Sequence, residues 1–262
     1  FGGEMSLKEA LTEIWRTLRG GGVDITPLEN LIHQVIDEEK IRNSGKEFRL
    51  LTFSLSDFKE LDLGMEDIPE GELEKFLLAS AYLVGFKNEP IQGKTYIDGG
   101  VVNNVPLGSL VERGYENLIE VRIYGPGREP RVKIPKEAVK YEIAPRVKLG
   151  SILEFSGRRS RQNLMIGYYD AKRLIYGLEG CIYYVEQTHS EKYYEELLAG
   201  VKETVKAEIA LMLRISPRCE DKELFMGMLE ASAKLFRIPK YQIYTDTELY
   251  DMVYEKYVNV GE

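Results

Sequence analysis

The sequence predicts an α/β fold with a largely parallel sheet, followed by a helical C-terminal region. Three observations predict it. Residues 48–55 (FRLLTFSL) are a short apolar run rich in strand-forming side chains. Thr95-Tyr96-Ile97 then leads into Asp98, a short helical pattern occupies 106–113, and a second strand pattern occupies 118–124. Strand, helix, strand at that spacing is the signature of a right-handed crossover between parallel strands. Beyond residue 160 the apolar spacing is helical, and 12 of the 17 tyrosines fall there.

Each element has its own signal. Ser6 and Glu9 form a capping box, and Leu7, Ala10, Leu11, Ile14, Trp15 and Leu18 follow at helical spacing until Gly20-Gly21-Gly22 stops them. Thr26, Pro27 and Glu29 supply cap, first-turn proline and capping-box partner for a second helix. The run 59–63 can pair back on 48–55 as a hairpin. Residues 72–82 are helical in pattern, with Leu73, Phe76, Leu77 and Ser80 on one side. The helix 106–113 ends at Gly114. In 163–176, Leu164, Tyr168, Ala171 and Ile175 are in helical phase. Residues 181–185 read as an edge strand, and 191–213, 222–236 and 247–257 as three further helices.

Composition narrows the function classes. With 44% apolar residues among 262, the chain can bury a core. Thirty-five basic against 43 acidic side chains give a net charge of −8, which argues against a dedicated nucleic-acid binder, because phosphate neutralisation needs a basic face. Cys181 and Cys219 are too few for a disulfide framework, so a reduced, cytoplasmic setting is expected. No run approaches ~20 consecutive apolar residues, and no basic start leads into an apolar stretch. Segment 128–161 differs from the rest, with ten basic and four acidic side chains.

The sharpest local feature is Tyr96-Ile97-Asp98-Gly99-Gly100-Val101-Val102-Asn103-Asn104-Val105-Pro106. A strand delivers an aspartate to its end, and two glycines let the backbone turn without Cβ clashes. Strand ends in α/β sheets are where ligand chemistry sits. An aspartate before glycine also commonly just caps a turn, so the local sequence leaves two roles open for Asp98. His33 and His189 neighbour no glycine elbow and read as solvated surface residues. The spacing of Asp98, Asn103 and Asn104 fits no EF-hand, so no metal and no cofactor are expected.

The stretch 79–107, ASAYLVGFKNEPIQGKTYIDGGVVNNVPL, resembles the patatin-like phospholipases, a family of lipid acyl hydrolases. The resemblance rests on an Ala-Ser segment on a helix, a strand into Asp-Gly-Gly, and Asn-x-Pro. It extends to 150–175, which looks like the family's closing helix with its Gly167-Tyr168-Tyr169-Asp170-Ala171 run. It implies a three-layer α/β/α fold, a patatin-like domain over 1–180, and a mostly helical extension over 181–262 packed on it.

The resemblance also implies a serine–aspartate dyad acting on lipid acyl esters. Asp98 matches the aspartate that activates a serine in a G-x-S-x-G elbow, and a glycine-rich loop offers N–H donors to the oxyanion. No G-x-S-x-G occurs in the 262 residues, and Gly108-Ser109 and Gly150-Ser151 lack its flanks. The expectation is therefore that the first strand, oxyanion loop and serine lie upstream of Phe1, and that this chain alone is inactive. The other class of reading is a non-catalytic lipid- or protein-binding relative. Arg158, Arg159 and Arg161 are expected to draw a peripheral protein to anionic headgroups.

Overall fold

The computed structural model describes residues 25–82, 89–151 and 156–260. The helix expected after Ser6 and its Gly20-Gly21-Gly22 stop lie outside these residues. The chain divides into two compact units: Phe1–Leu118 with Gly125–Val139, and Ile119–Tyr124 with Lys140–Glu262. In sequence that division falls before residue 180, the boundary drawn from the resemblance.

The first unit holds α1 (Thr26–Val35), α2 (Glu38–Arg42), β1 (Arg49–Ser54), β2 (Lys59–Gly64), α3 (Leu73–Ala81), β3 (Tyr96–Asp98), a single 3-10 turn at Gly99–Val101, and α4 (Leu107–Glu112). The expected hairpin forms, with Arg49 opposite Gly64 and Ser54 opposite Lys59. A four-residue connection can only return the chain antiparallel. β3 lies antiparallel on the other side of β1, with Thr52 opposite Asp98, so the order is β2-β1-β3. Leu50, Thr52 and Ser54 alternate into the core, as a strand's two-residue period requires. The buried Thr52 hydroxyl donates to the Ile97 carbonyl at 2.9 Å. Leu73, Phe76 and Ala79 of α3 complete the core with Ile68 and Tyr96.

The chain is α/β with a helical C-terminal region, but the sheet around Asp98 is antiparallel, which corrects the largely parallel sheet expected there. The crossover from β3 through α4 does not form either. The next strand, β4 (Asn117–Val121), pairs with β5 (Val139–Ile143) as a two-stranded ribbon. Strands of parallel sheets are covered on both faces. β4 is buried on one side only, with Ile119 and Val121 well exposed.

Parallel pairing occurs in the second unit. Beyond α5 (Gly157–Tyr176), β6 (Tyr184–Glu186) pairs in parallel with β7 (Ile243–Thr245). The long crossover that parallel strands need is made by α6 (Glu191–Leu198), α7 (Glu203–Leu213) and α8 (Asp221–Leu235); α9 (Asp246–Val260) follows β7. The single helix expected over 191–213 is thus two. The break spans Ala199-Gly200, where glycine weakens a helix interior by about 1 kcal/mol. Tyr183, Val185, Tyr194, Leu224 and Leu249 form this unit's core. The buried Glu230 carboxylate fixes the approach to β6 by accepting from the Cys181, Ile182 and Tyr183 N–H groups. Both cysteines are free thiols.

Candidate active site

Asp98 stands at the end of β3, held from both sides of the backbone. Its N–H donates to the Tyr82 carbonyl at 2.9 Å, and its residue pairs across to Thr52. The Gly100 N–H donates to Asp98 Oδ1 at 2.7 Å, and this is the one hydrogen bond to that carboxylate among the described residues. Oδ1 therefore caps the 3-10 turn, while Oδ2 is left for other work. Burial pushes the Asp98 carboxyl above its ordinary value, and the Gly100 N–H offsets part of that rise.

The two glycines are needed for different reasons. A Cβ on Gly99 would lie 2.7 Å from the Leu51 carbonyl carbon, so only glycine lets the turn sit against β1. A Cβ on Gly100 would crowd Asp98 Oδ1 at 3.1 Å and Asn104 Oδ1 at 3.0 Å. Asn103 Nδ2 donates to Glu60 Oε1 at 3.0 Å, and its Oδ1 is buried without a hydrogen-bond partner.

A second loop closes on this turn. The Asn104 N–H donates to the Arg128 carbonyl at 2.7 Å, and Asn104 Nδ2 to the Gly125 carbonyl at 3.1 Å. Asn104 thus satisfies loop backbone. Gly127 sits at φ 152°, where a Cβ would strike the Gly100 carbonyl. The sequence reading missed this loop, although Gly125-Pro126-Gly127 is itself a turn signal.

The neighbouring serines are engaged elsewhere. Ser80 Oγ donates to the Leu51 carbonyl at 2.7 Å and ties α3 to β1. Ser109 Oγ donates to Asp62 Oδ2 at 2.5 Å. Burial raises the Asp62 carboxyl, but Ser109 and the Arg49 and Arg113 guanidiniums outweigh it and hold it below the ordinary range. A carboxylate so neutralised is a poor proton acceptor.

The histidines differ from one another. His33 is exposed beside Glu74, at 3.2 Å. His189 is not the solvated residue expected. Its Nδ1 lies 3.1 Å from Asp246 Oδ2 and its ring stacks on Tyr193 with centroids 3.9 Å apart. Asp246 is buried and also accepts from the Thr188 and Tyr194 hydroxyls and from the Thr188 and Thr247 N–H groups. Burial raises its carboxyl, yet these donors together hold it well below the usual carboxylate range.

Of the three arginines singled out in the sequence, Arg158 and Arg161 are exposed, while Arg159 turns back to donate to the Leu149 carbonyl at 3.0 Å. Among the described residues no cluster of three or more His, Cys, Asp or Glu could hold a metal ion. Among those residues no helix is long and apolar enough to cross a membrane.

With this geometry in place, comparison with known proteins adds one finding. Residues 6–111, less than half of the chain, match the sequence model of the patatin-like phospholipase family. The match contains Asp98 and both glycines and ends within α4. No curated protein and no solved structure matches the chain.

Proposed function

We propose that the complete protein is a lipid acyl hydrolase of phospholipase A type, working through a serine–aspartate dyad in which Asp98 is the general base. The serine would come from a G-x-S-x-G elbow outside these 262 residues, which contain no such motif. The observation that carries this reading is the state of Asp98 within the matched segment: a strand-end carboxylate with one oxygen fixed by Gly100, the other uncommitted, and a proton affinity raised by burial. As the serine oxygen bonds to the ester carbonyl carbon, Asp98 takes the hydroxyl proton, then returns it to the departing alcohol oxygen. A water repeats the sequence to release the fatty acid. Backbone N–H groups of a glycine-rich loop outside these 262 residues would face the oxyanion.

Asp98→Asn in the complete protein should abolish ester hydrolysis and leave the fold intact; turnover at the wild-type rate would reject the assignment. The 262 residues alone should show no hydrolysis. The missing elbow also supports a second reading, a non-catalytic lipid- or protein-binding relative. The coding sequence upstream of Phe1 separates the two, since a glycine-rich loop followed by G-x-S-x-G favours the enzyme. The working location is the cytoplasmic face of a membrane, reached through peripheral contacts that include Arg158 and Arg161.

A further inference from the structure

The apolar residues that share a phase on α5 were the natural candidates for its buried side. The structure buries the opposite side. Ile166, Asp170 and Arg173 face inward, while Leu164, Tyr168, Ile175 and Tyr176 are 72%, 53%, 71% and 62% exposed. At 100° per residue, Leu164, Tyr168 and Ile175 fall within about 40° of one another, in a stripe about 17 Å long. Large apolar side chains scattered singly on a surface need no explanation, but a contiguous stripe marks a binding face.

The charges bordering the stripe name the partner. Arg161 and Lys172 lie within about 80° of Leu164, and Arg158 is exposed one turn before Arg161. Lys172 sits over the Tyr168 ring, 4.6 Å from its centroid, so its ammonium stays beside the stripe. The only acid in the helix is Asp170, which is buried on the far side against Arg173. In a chain of net charge −8, one helix therefore presents apolar and aromatic side chains bordered by the exposed Arg158 and Arg161 and the half-buried Lys172, with no acid beside them on the helix. That is the pattern of a helix lying in an anionic lipid interface, with apolar groups among acyl chains, tyrosines at headgroup depth and basic groups on phosphate.

We propose that the outward face of α5 docks on an anionic phospholipid surface, with Leu164, Tyr168 and Ile175 as the inserted residues and Arg158, Arg161 and Lys172 as the headgroup contacts. The choice of a membrane as partner rests on the lipid-hydrolase reading, and the docking is testable without it. The full chain is mixed with phosphatidylcholine vesicles with and without phosphatidylserine, and the bound fraction is measured by sedimentation. Wild type should bind the phosphatidylserine vesicles and largely ignore the neutral ones. Arg158→Gln/Arg161→Gln/Lys172→Gln should weaken that binding about a hundredfold, near fivefold for each charge. Leu164→Ser/Ile175→Ser should weaken it at least tenfold while keeping all the charges.

All five positions are solvent-facing or partly so, and an unchanged circular dichroism spectrum and melting temperature certify that both variants fold. Unchanged vesicle binding in either variant overturns the proposal. So does a wild-type dimer that Leu164→Ser/Ile175→Ser converts to monomer, which would assign the stripe to a second copy of the chain. Vesicle binding that persists in a complete protein with no esterase activity would reject the hydrolase reading and keep the docking face; the reverse outcome would keep only the enzyme.

Discussion

Two short strands, one in each unit, lead into an aspartate: Asp98 closes β3, and Asp246 follows β7 as the first residue of α9. β3 delivers Asp98 after Tyr96-Ile97, and β7 delivers Asp246 after Tyr244-Thr245. Sequence patterns around them are alike, and their environments are opposite. Asp246 is buried and receives two hydroxyls, two N–H groups and an imidazole, so its charge is stabilised where it stands. Asp98 is half-buried and receives one N–H, so its charge is poorly compensated and its proton affinity rises. A strand-end carboxylate surrounded by donors holds structure together. One that is partly desolvated and mostly unclaimed is suited to taking a proton.

That contrast breaks if the two sites respond alike to substitution. The largest expected effect is at Asp246. Asp246→Ala strands the Tyr194 and Thr188 hydroxyls and should cost about 3 kcal/mol in denaturant unfolding, by the cost of buried groups left unbonded. Next is the loop over the candidate site. Gly127→Ala combines a positive φ with a collision against Gly100 and should lower stability by about 1–3 kcal/mol. Gly45→Ala, also at positive φ but in open space, should cost about 1 kcal/mol. Equal melting temperatures for the two glycine variants would mean that the 125–128 loop does not press on the Asp-Gly-Gly turn.

Smaller and sharper is the pH dependence. Asp246 is lowered from 3.8, so it contributes stability that is complete above pH 3.8 and lost as pH falls through its depressed pKa. Asp98 is raised from 3.8, so the fold favours its protonated form, an advantage complete below pH 3.8 and lost as pH rises through its raised pKa. Asp98→Asn should therefore melt at or slightly above the wild-type temperature at pH 7, with the difference shrinking toward pH 3. A large drop at pH 7 would mean that the Asp98 charge supports the fold.

Local signals were legible in the sequence. Periodicity placed α1, α3 and α4, the turn spacing placed the β1–β2 hairpin, and the strand into Asp98 was read directly. The cap expected at Thr26 does not form, because Thr26 is already the first helical residue and the N-cap is Ile25, with no side-chain hydrogen bond. Pairing between distant strands was not, because β3 could serve a parallel or an antiparallel sheet equally well from its own three residues. The split between α6 and α7 escaped because helical spacing resumes after Gly200 almost in phase. Asp246 escaped because its donors on 188–194 lie more than 50 residues away, and no local pattern links them. The Leu164 stripe was visible as a periodicity, but periodicity alone does not say whether a face meets the core or the outside.

The most direct test sets the two aspartates side by side in the complete protein, measuring phospholipid ester hydrolysis and thermal melting for Asp98→Asn and Asp246→Asn together. The account predicts that Asp98→Asn loses hydrolysis by about 10²–10⁴-fold with its melting temperature kept, whereas Asp246→Asn melts lower and retains its turnover per folded molecule. Wild-type hydrolysis by Asp98→Asn, or loss of catalysis in both variants at unchanged melting, would contradict it.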